Sequence, residues 1–209
     1  MAEAGVTEGE HTALRASLLR TVMLVAVLNV AYFTVEFGVA RAIGSVSLFA
    51  DSIDFLEDAS VNALVLLTIG LAAAWRRVAG LSFSAFLLVP SVAALWTAWE
   101  KLHTFSVADP AALTLTAIGA LGVNGLCATL LARVRHSGGS LSKAAFLSSR
   151  NDVIANLAII AAGIATAACP SIWPDFAVGL AIAALNLGAA WEVAGAALKE
   201  ADTDKNNTN

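Results

Sequence analysis

Residues 47–62 read SLFADSIDFLEDASVN and carry Asp51, Asp54, Glu57 and Asp58, while the sequence on both sides reads as membrane span. The reading of this segment decides the fold. An Asp at the middle of a membrane helix costs about 2.5 to 3.5 kcal/mol on insertion scales, so four acids in one span need compensation.

Composition supports the membrane reading. The chain has 209 residues, 58% of them hydrophobic and only 13% charged, with a mean hydropathy of +0.78. Soluble domains are about a quarter charged. A bilayer core about 30 Å thick needs roughly 20 helical residues. Lipid cannot satisfy backbone groups, and the two-residue alternation of a barrel strand is missing. The expected class is therefore all-α: a polytopic membrane protein of six transmembrane helices. The spans are Thr21–Ala40, about Ser47–Ala74, about Leu81–Trp99, Ala111–Ala132, about Ala144–Ala168 and about Phe176–Leu198. Residues 1–15 and 200–209 are expected as disordered tails around a domain at 16–199, with no cytoplasmic C-terminal domain.

Charge sets the orientation. Arg15, Arg20, Arg76, Arg77, Arg133, Arg135, Lys143, Lys199 and Lys205 fall on one side, and Arg41 and Lys101 on the other. The positive-inside rule then places both termini in the cytoplasm. A formal charge of −4 without a long basic run leaves no nucleic-acid surface. Cys127 and Cys169 lie in no CxxC pattern and read as small buried side chains. Gly119, Gly122 and Gly125 are expected to line one side of the fourth span for a close neighbour, and Pro90 to bend the third.

Residues three and four apart share a helix face. Asp51, Asp54 and Asp58 therefore form one stripe, with Glu57 beside Asp54. In AAFLSSRNDVIANLAII, residues 144–160, Ser148, Asp152 and Asn156 form a second stripe with Asn151 beside it. Glu36 and Asn29 stand in the first span and Asn124 in the fourth. Asn29, Asn124 and Asn156 are expected to hydrogen-bond between helices. Intramembrane carboxylates face the interior and mark ion paths or proton relays. Arg150 is the basic residue available within these spans, and one arginine cannot neutralise three or four acids. A divalent cation can. Asp54, Asp58 and Asp152, with Ser148 or a water, make an all-oxygen site suited to hard ions. Close carboxylates repel and metal ligands must be deprotonated, so protons and metal would alternate on the same oxygens.

These residues resemble the transmembrane domain of the cation diffusion facilitators, six-span divalent-metal/proton exchangers. Glu36 with GSVSLFADSIDFLEDAS (44–60) is similar to the family's first loop and second helix, and Asp54 and Asp58 occupy its two ligand positions. EKL at 100–102, Asn124, AAFLSSRND (144–152) and WPDFAVGLAIA (173–183) resemble the third to sixth helices, with Asp152 at a further ligand position. Ser148 stands where the family usually has His or Asp, which removes one ligand and argues against zinc. The resemblance implies a multi-pass transporter in a bacterial inner membrane, not an enzyme, and without a prosthetic group. It would export Zn, Co, Mn or Fe in exchange for protons, with a homodimer as an open assembly. The metal ligands would be Asp54, Asp58, Asp152 and Ser148. Asp51, Glu57, Glu36, Asn151 and Asn156 would be accessory or line the ion path. The alternative is a non-transporting membrane partner or metal-binding regulator derived from the family. One tension is geometric. At 1.5 Å per residue, Asp152 lies about 14 Å from Lys143 and Asp58 about 27 Å from Arg76, so the two meet only if the second helix tilts or projects into the cytoplasm.

Overall fold

The computed structural model describes residues 8–68, 92, 93, 95–134 and 139–186; for 8–15, 64, 65, 67, 68 and 139–150 it describes the backbone alone. Among the described residues there are helices and short connections and no strand. The helices are α1 (Glu8–Ile43), α2 (Val46–Thr68), α3 (95–104), α4 (Pro110–Val134), α5 (Gly139–Ala168) and α6 (173–186). α1 packs on α2 and α4, and α4 packs on α5, while α2 also meets α5.

Several bounds differ from those expected. α1 begins at Glu8, inside the segment expected as a tail, because Glu8, Glu10, Ala13, Leu14 and Arg15 are mostly good helix formers. α5 begins at Gly139 rather than Ala144. α3 continues past Trp99 to residue 104, and α6 starts at residue 173. The end of the second span after Thr68, most of the third with Pro90, the end of the sixth and the C-terminal tail lie outside the described residues.

Local chemistry fixes the ends. Gly44 follows α1 with φ of +65°, a left-handed position that glycine takes freely. Ser45 N–H then bonds back to the Ala40 carbonyl at 3.0 Å, closing a Schellman-type end. Asp109 caps α4: its Oδ1 accepts from Ala112 N at 2.7 Å, and Pro110 opens the helix. Pro170 stops the chain from continuing α5.

Three helices are long and apolar enough to cross a membrane among the described residues: Ala16–Ile43, Pro110–Val134 and Asn151–Ala168. α2 has the length, but its four carboxylates spoil its hydropathy. The bundle is apolar outside as well as in. Met23, Val27 and Val30 of α1, Leu115 and Ile118 of α4, and Ile154, Leu157 and Ile164 of α5 are exposed. Glu36, Asp51, Asn29 and Asn156 are buried. Apolar residues facing outward and polar residues inward suit a lipid solvent. The inner apolar cluster joins Ala40 of α1, Leu48 and Ile53 of α2, Leu113 of α4, Ile159 of α5 and Ile182 of α6.

Only Gly119 of the expected glycine face makes a close approach. A side chain there would collide with Tyr32, whose hydroxyl donates to the Thr116 carbonyl at 2.6 Å. Gly122 and Gly125 have nothing within 4 Å of an added Cβ. Gly179 of α6 is tight against backbone: a Cβ there would lie 2.6 Å from the Val46 carbonyl carbon and from Ser47 N. Cys127 is buried, its thiol 3.7 Å from Asn29 Oδ1 on α1. Cys169 is exposed, contrary to expectation, because it lies in the turn after α5.

The start of α2 is held by a residue far away in sequence. Asp175, just before the apolar part of α6, accepts from Val46 N (3.0 Å), Ser47 N (3.1 Å), Ser45 Oγ (2.7 Å) and Ser47 Oγ (2.5 Å). Its Oδ2 also pairs with Lys101 Nζ at 2.5 Å, and Lys101 donates to the Gly44 carbonyl at 2.8 Å. Ser45 Oγ takes Leu48 N at 3.1 Å. Each orphan N–H of the first turn of α2 is thus satisfied. Burial raises the Asp175 carboxyl, but the Lys101 ammonium and the serine hydroxyls outweigh it and hold it below the ordinary carboxylate value.

Gly179→Ala should lower stability by about 1–3 kcal/mol through overpacking, whereas Gly122→Ala should be neutral or slightly stabilising; thermal unfolding in lipid nanodiscs reads both. Asp175→Asn leaves Lys101 buried beside a neutral group and should cost about 3–5 kcal/mol. A depressed folded-state value means the contribution is complete above the ordinary aspartate value of about 3.9 and is lost as pH falls through the folded value. The gap in unfolding temperature between wild type and Asp175→Asn should therefore be flat at neutral pH and narrow in acid. A gap that closes near neutral pH would contradict this.

Candidate functional site

The acids of α2 divide into two groups by depth. Asp54, Glu57 and Asp58 face a cavity of about 410 Å³ between α2, α5 and α6. α5 contributes Asn151 and Asp152 to the same cavity, and α6 contributes Asn186. Apolar Val61, Ala155, Ile182 and Leu185 complete its wall. The i, i+4 spacing of Asp54 and Asp58 presents both to α5, as the sequence implies. Asp54 stands in the negative field of Asp152, Asp51, Glu57 and Asp58, and Asp152 in that of Asp58, Asp51 and Glu57. One Asp54 oxygen is buried without a hydrogen-bond partner among the described residues.

Asp58 and Asp152 therefore share one cavity, which answers the tension in depth. α5 starts further back than expected, so Asp152 lies about 20 Å along its axis from Gly139. The far end of α2 beyond Thr68 is outside the described residues. Among the described residues no group of three or more His, Cys, Asp or Glu is set closely enough to hold a metal ion as it stands. The cavity supplies oxygen donors only: carboxylates from Asp54, Glu57, Asp58 and Asp152, and amides from Asn151 and Asn186.

Glu36 and Asp51 do not line this cavity. Both are fully buried, and among the described residues neither carboxyl has a hydrogen-bond partner. They face one another across the α1–α2 contact. Asn156 of α5 stands beside Asp51. Its Nδ2 donates within its own helix to the Asp152 carbonyl at 2.8 Å, and its Oδ1 has no partner among the described residues. One N–H of the amide is thus spent within its own helix, and the other is available to Asp51 across the α2–α5 contact.

The side chains of Ser148 and Arg150 lie outside the described residues, as does any pairing of Glu57 with Arg150. Two contributors escaped the sequence reading. Asn186 is an isolated polar residue in the last span, and its placement in the cavity with Asp54 needs the α2–α6 contact. Lys101 and Asp175 stand 74 residues apart. A lone lysine and a lone aspartate at the same end of two otherwise apolar spans were the available signal. A second cavity, of about 310 Å³, lies beside that anchor, lined by Arg41, Thr97, Glu100, Lys101, Thr104 and Ser106 among others. None of the acids of α2 borders it.

The shared cavity has a direct check. In a chain with Cys127 and Cys169 replaced by alanine, Asp58→Cys and Asp152→Cys should be joined by a short bifunctional thiol reagent. A cysteine pair at 58 and 164, where Ile164 is exposed on α5, should not react. Equal yields for the two pairs would refute the arrangement.

Comparison with known proteins then places the chain. The model for the cation efflux transmembrane domain matches residues 22–200. No curated protein matches the sequence significantly.

Proposed function

The chain belongs to the cation efflux family and is a membrane protein of the cation-transporting type; from that premise we propose that it exports a divalent metal ion from the cytoplasm in exchange for protons. The observation that carries this reading is the cavity lined by Asp54, Glu57, Asp58 and Asp152 between α2, α5 and α6. The metal is cargo. Asp54, Asp58 and Asp152 are its proposed ligands, with Ser148 at the remaining position and Asn151 near it. The all-oxygen lining favours Mn, Fe or Co over Zn, which usually takes some nitrogen or sulfur. Both termini lie in the cytoplasm on this reading, six helices cross the membrane, and the setting is a bacterial inner membrane.

The coupling follows from charge. Several carboxylates around one cavity cannot all stay charged in a medium of low dielectric without a partner. In one state the partner is the metal ion. In the other it is a proton or protons on the same oxygens. Metal entering from the cytoplasm would displace protons, and protons arriving from outside would release the metal. No residue needs to act as a nucleophile. A non-transporting regulator would bind the ion without moving it, and uptake into vesicles separates the two.

Purified protein in proteoliposomes should show metal-driven proton movement with Mn²⁺ or Co²⁺. Transport without any proton movement would rule out the exchange. Asp58→Ala and Asp152→Ala should each reduce uptake to the background of empty liposomes, a loss of two orders of magnitude or more being typical when a charged ligand is removed, or about 3 kcal/mol. Normal uptake by either variant would overturn the assignment. Ser148→His should shift the preference among these ions toward Zn²⁺, read by competition between Zn²⁺ and Mn²⁺.

A further inference from the structure

The cavity of about 310 Å³ beside the Lys101–Asp175 pair lies where membrane-crossing helices end. Its lining runs from Arg41, at the end of one such helix, to Ser106, just before another begins at Pro110. Its volume is at the lower end of ordinary ligand pockets, about 300–1,000 Å³. The lining has a donor side and an acceptor side. By the α1–α2 turn stand the Arg41 guanidinium, the Lys101 ammonium and the Ser106 hydroxyl. An ammonium has three donors. The Gly44 carbonyl and Asp175 take two of those of Lys101, and the third has no acceptor among the described residues, although the lysine is only 3% exposed. Ser106 Oγ would lie 3.6 Å from a Cβ at Gly44, and its hydroxyl contact with Thr104 is a long one at 3.5 Å. On α3, Thr97, Glu100 and Thr104 share one face. The two threonine hydroxyls give their hydrogens to the carbonyls of Ala93 (3.0 Å) and Glu100 (3.2 Å), which leaves acceptor lone pairs for the cavity. Arg41 and Glu100 line the same space, yet among the described residues neither side chain has an ion-pair or hydrogen-bond partner. The cavity thus holds a cation and an anion apart. The neighbouring face of α3 is aromatic. Trp96 and Trp99 are exposed there, and His103 packs edge-on against Trp99 at 4.8 Å. Phe105, which ends α3 in a left-handed conformation (φ +49°), is exposed as well. Tryptophans at span ends sit at the level of lipid headgroups.

We propose that this cavity binds a phosphoethanolamine group, the headgroup of a lipid in the adjoining leaflet. The phosphate meets Arg41, the third N–H of Lys101 and Ser106, and the ammonium meets Glu100 and Thr104. A guanidinium suits phosphate because its fork can donate two parallel bonds. The acceptor side decides between headgroups. A phosphoglycerol headgroup satisfies the donors but sets its negative charge near Glu100 with no cation to offset it. A phosphocholine carries both charges but no N–H for the acceptors of α3. Phosphoethanolamine supplies both a charge and donors on that side. Free phosphoethanolamine has the same polar chemistry without the acyl chains, which the exposed aromatic residues of α3 flank in the lipid. The site goes beyond the transport reading and does not need it, since none of the acids of α2 borders this cavity. A lipid held here covers Lys101, and with it the ion pair that fixes the start of α2.

The test uses the full chain in a non-ionic detergent, titrated with phosphatidylethanolamine, phosphatidylglycerol or phosphatidylcholine of identical acyl chains, with bound lipid counted by native mass spectrometry. The wild-type chain should retain one phosphatidylethanolamine with about tenfold preference over the other two. Arg41→Ala should weaken retention of all three lipids by about tenfold, the loss expected for a charge-assisted bond. Glu100→Gln should instead erase the preference for phosphatidylethanolamine and leave phosphatidylglycerol bound as well or better. Both residues are exposed, and thermal unfolding checks that each variant is folded. Equal retention of the three lipids by the wild-type chain overturns the proposal without any variant. A preference for phosphatidylglycerol overturns the zwitterionic assignment, and retention unchanged in both variants overturns the site. Free phosphoethanolamine and inorganic phosphate, added at the lipid's concentration, should not displace it. Full displacement by either one overturns the lipid as the source. None of these outcomes touches the metal reading, which uptake by Asp58→Ala and Asp152→Ala decides separately.

Discussion

The arrangement of the bundle depends on one buried carboxylate. Asp175 takes the first two free N–H groups of α2, two serine hydroxyls and the Lys101 ammonium. A helix start buried in a membrane protein cannot leave its N–H groups to lipid, and an anion there also meets the favourable end of the helix dipole. The same interaction ties α3 and α6 to α2. Once the first turn of α2 is fixed in position and rotation, every later side chain of that helix has its azimuth set. Asp54 follows about 12 Å deeper along the axis from Val46, and its face is turned to α5 and α6. Gly179 lets α6 come against the α2 backbone at this point, so Asn186 arrives opposite the acids two turns further on.

The polarity of the bundle follows from the same constraint. α1, α4 and α5 can each cross a membrane by composition, and they carry the exposed apolar surface. α2 carries four carboxylates, which a lone span would expose to lipid. It is tolerated only because other helices surround its acid face. α1 covers Asp51 with Glu36 nearby, and α5 covers Asp54 and Asp58 with Asp152. The covering helices thus bring more acid rather than base. Lys101 is spent at the other end of the helix on Asp175. Among the described side chains the centre of the bundle carries acids without matching bases, and mobile cations are a natural complement. That is an electrostatic basis for transport, independent of any comparison with relatives.

Much of this was legible in the sequence, and the reasons are physical. The spans of α1, α4 and α5 were legible because apolar length is a one-dimensional property. Asp54, Asp58 and Asp152 were legible because helix period places i and i+4 on one face. What failed was what depends on how helices meet. Gly122 and Gly125 share the spacing of Gly119, yet only Gly119 meets a neighbour, since spacing gives a face and not its occupant. Asn186 joins the cavity through the azimuth of α6, which no local pattern fixes. Asp175 and Lys101 were carried as parts of two motifs without being recognised as partners. Helix ends shifted by a few residues where capping was absent, as at the start of α5, and held where Asp109 and Pro110 fixed them.

The serine at position 148 then takes a different weight. Where relatives usually place a histidine or aspartate, its absence looked like a lost ligand. The cavity also takes in oxygen from Glu57 of α2, inside the motif, and from Asn186 of α6, outside it. Replacing an imidazole by carboxylate and amide oxygens changes the donor set from mixed to uniformly hard. Hard donors bind through charge and distance more than through directed covalency, and they tolerate variable geometry. Asp58 and Asp152 stand close together across the cavity, so an ion held there would couple their positions. On α2, Asp58 sits between a first turn pinned by Asp175 and a wall shared with α5. An ion held there would thus be felt by α5 and α6, which share the cavity wall, as well as by α2.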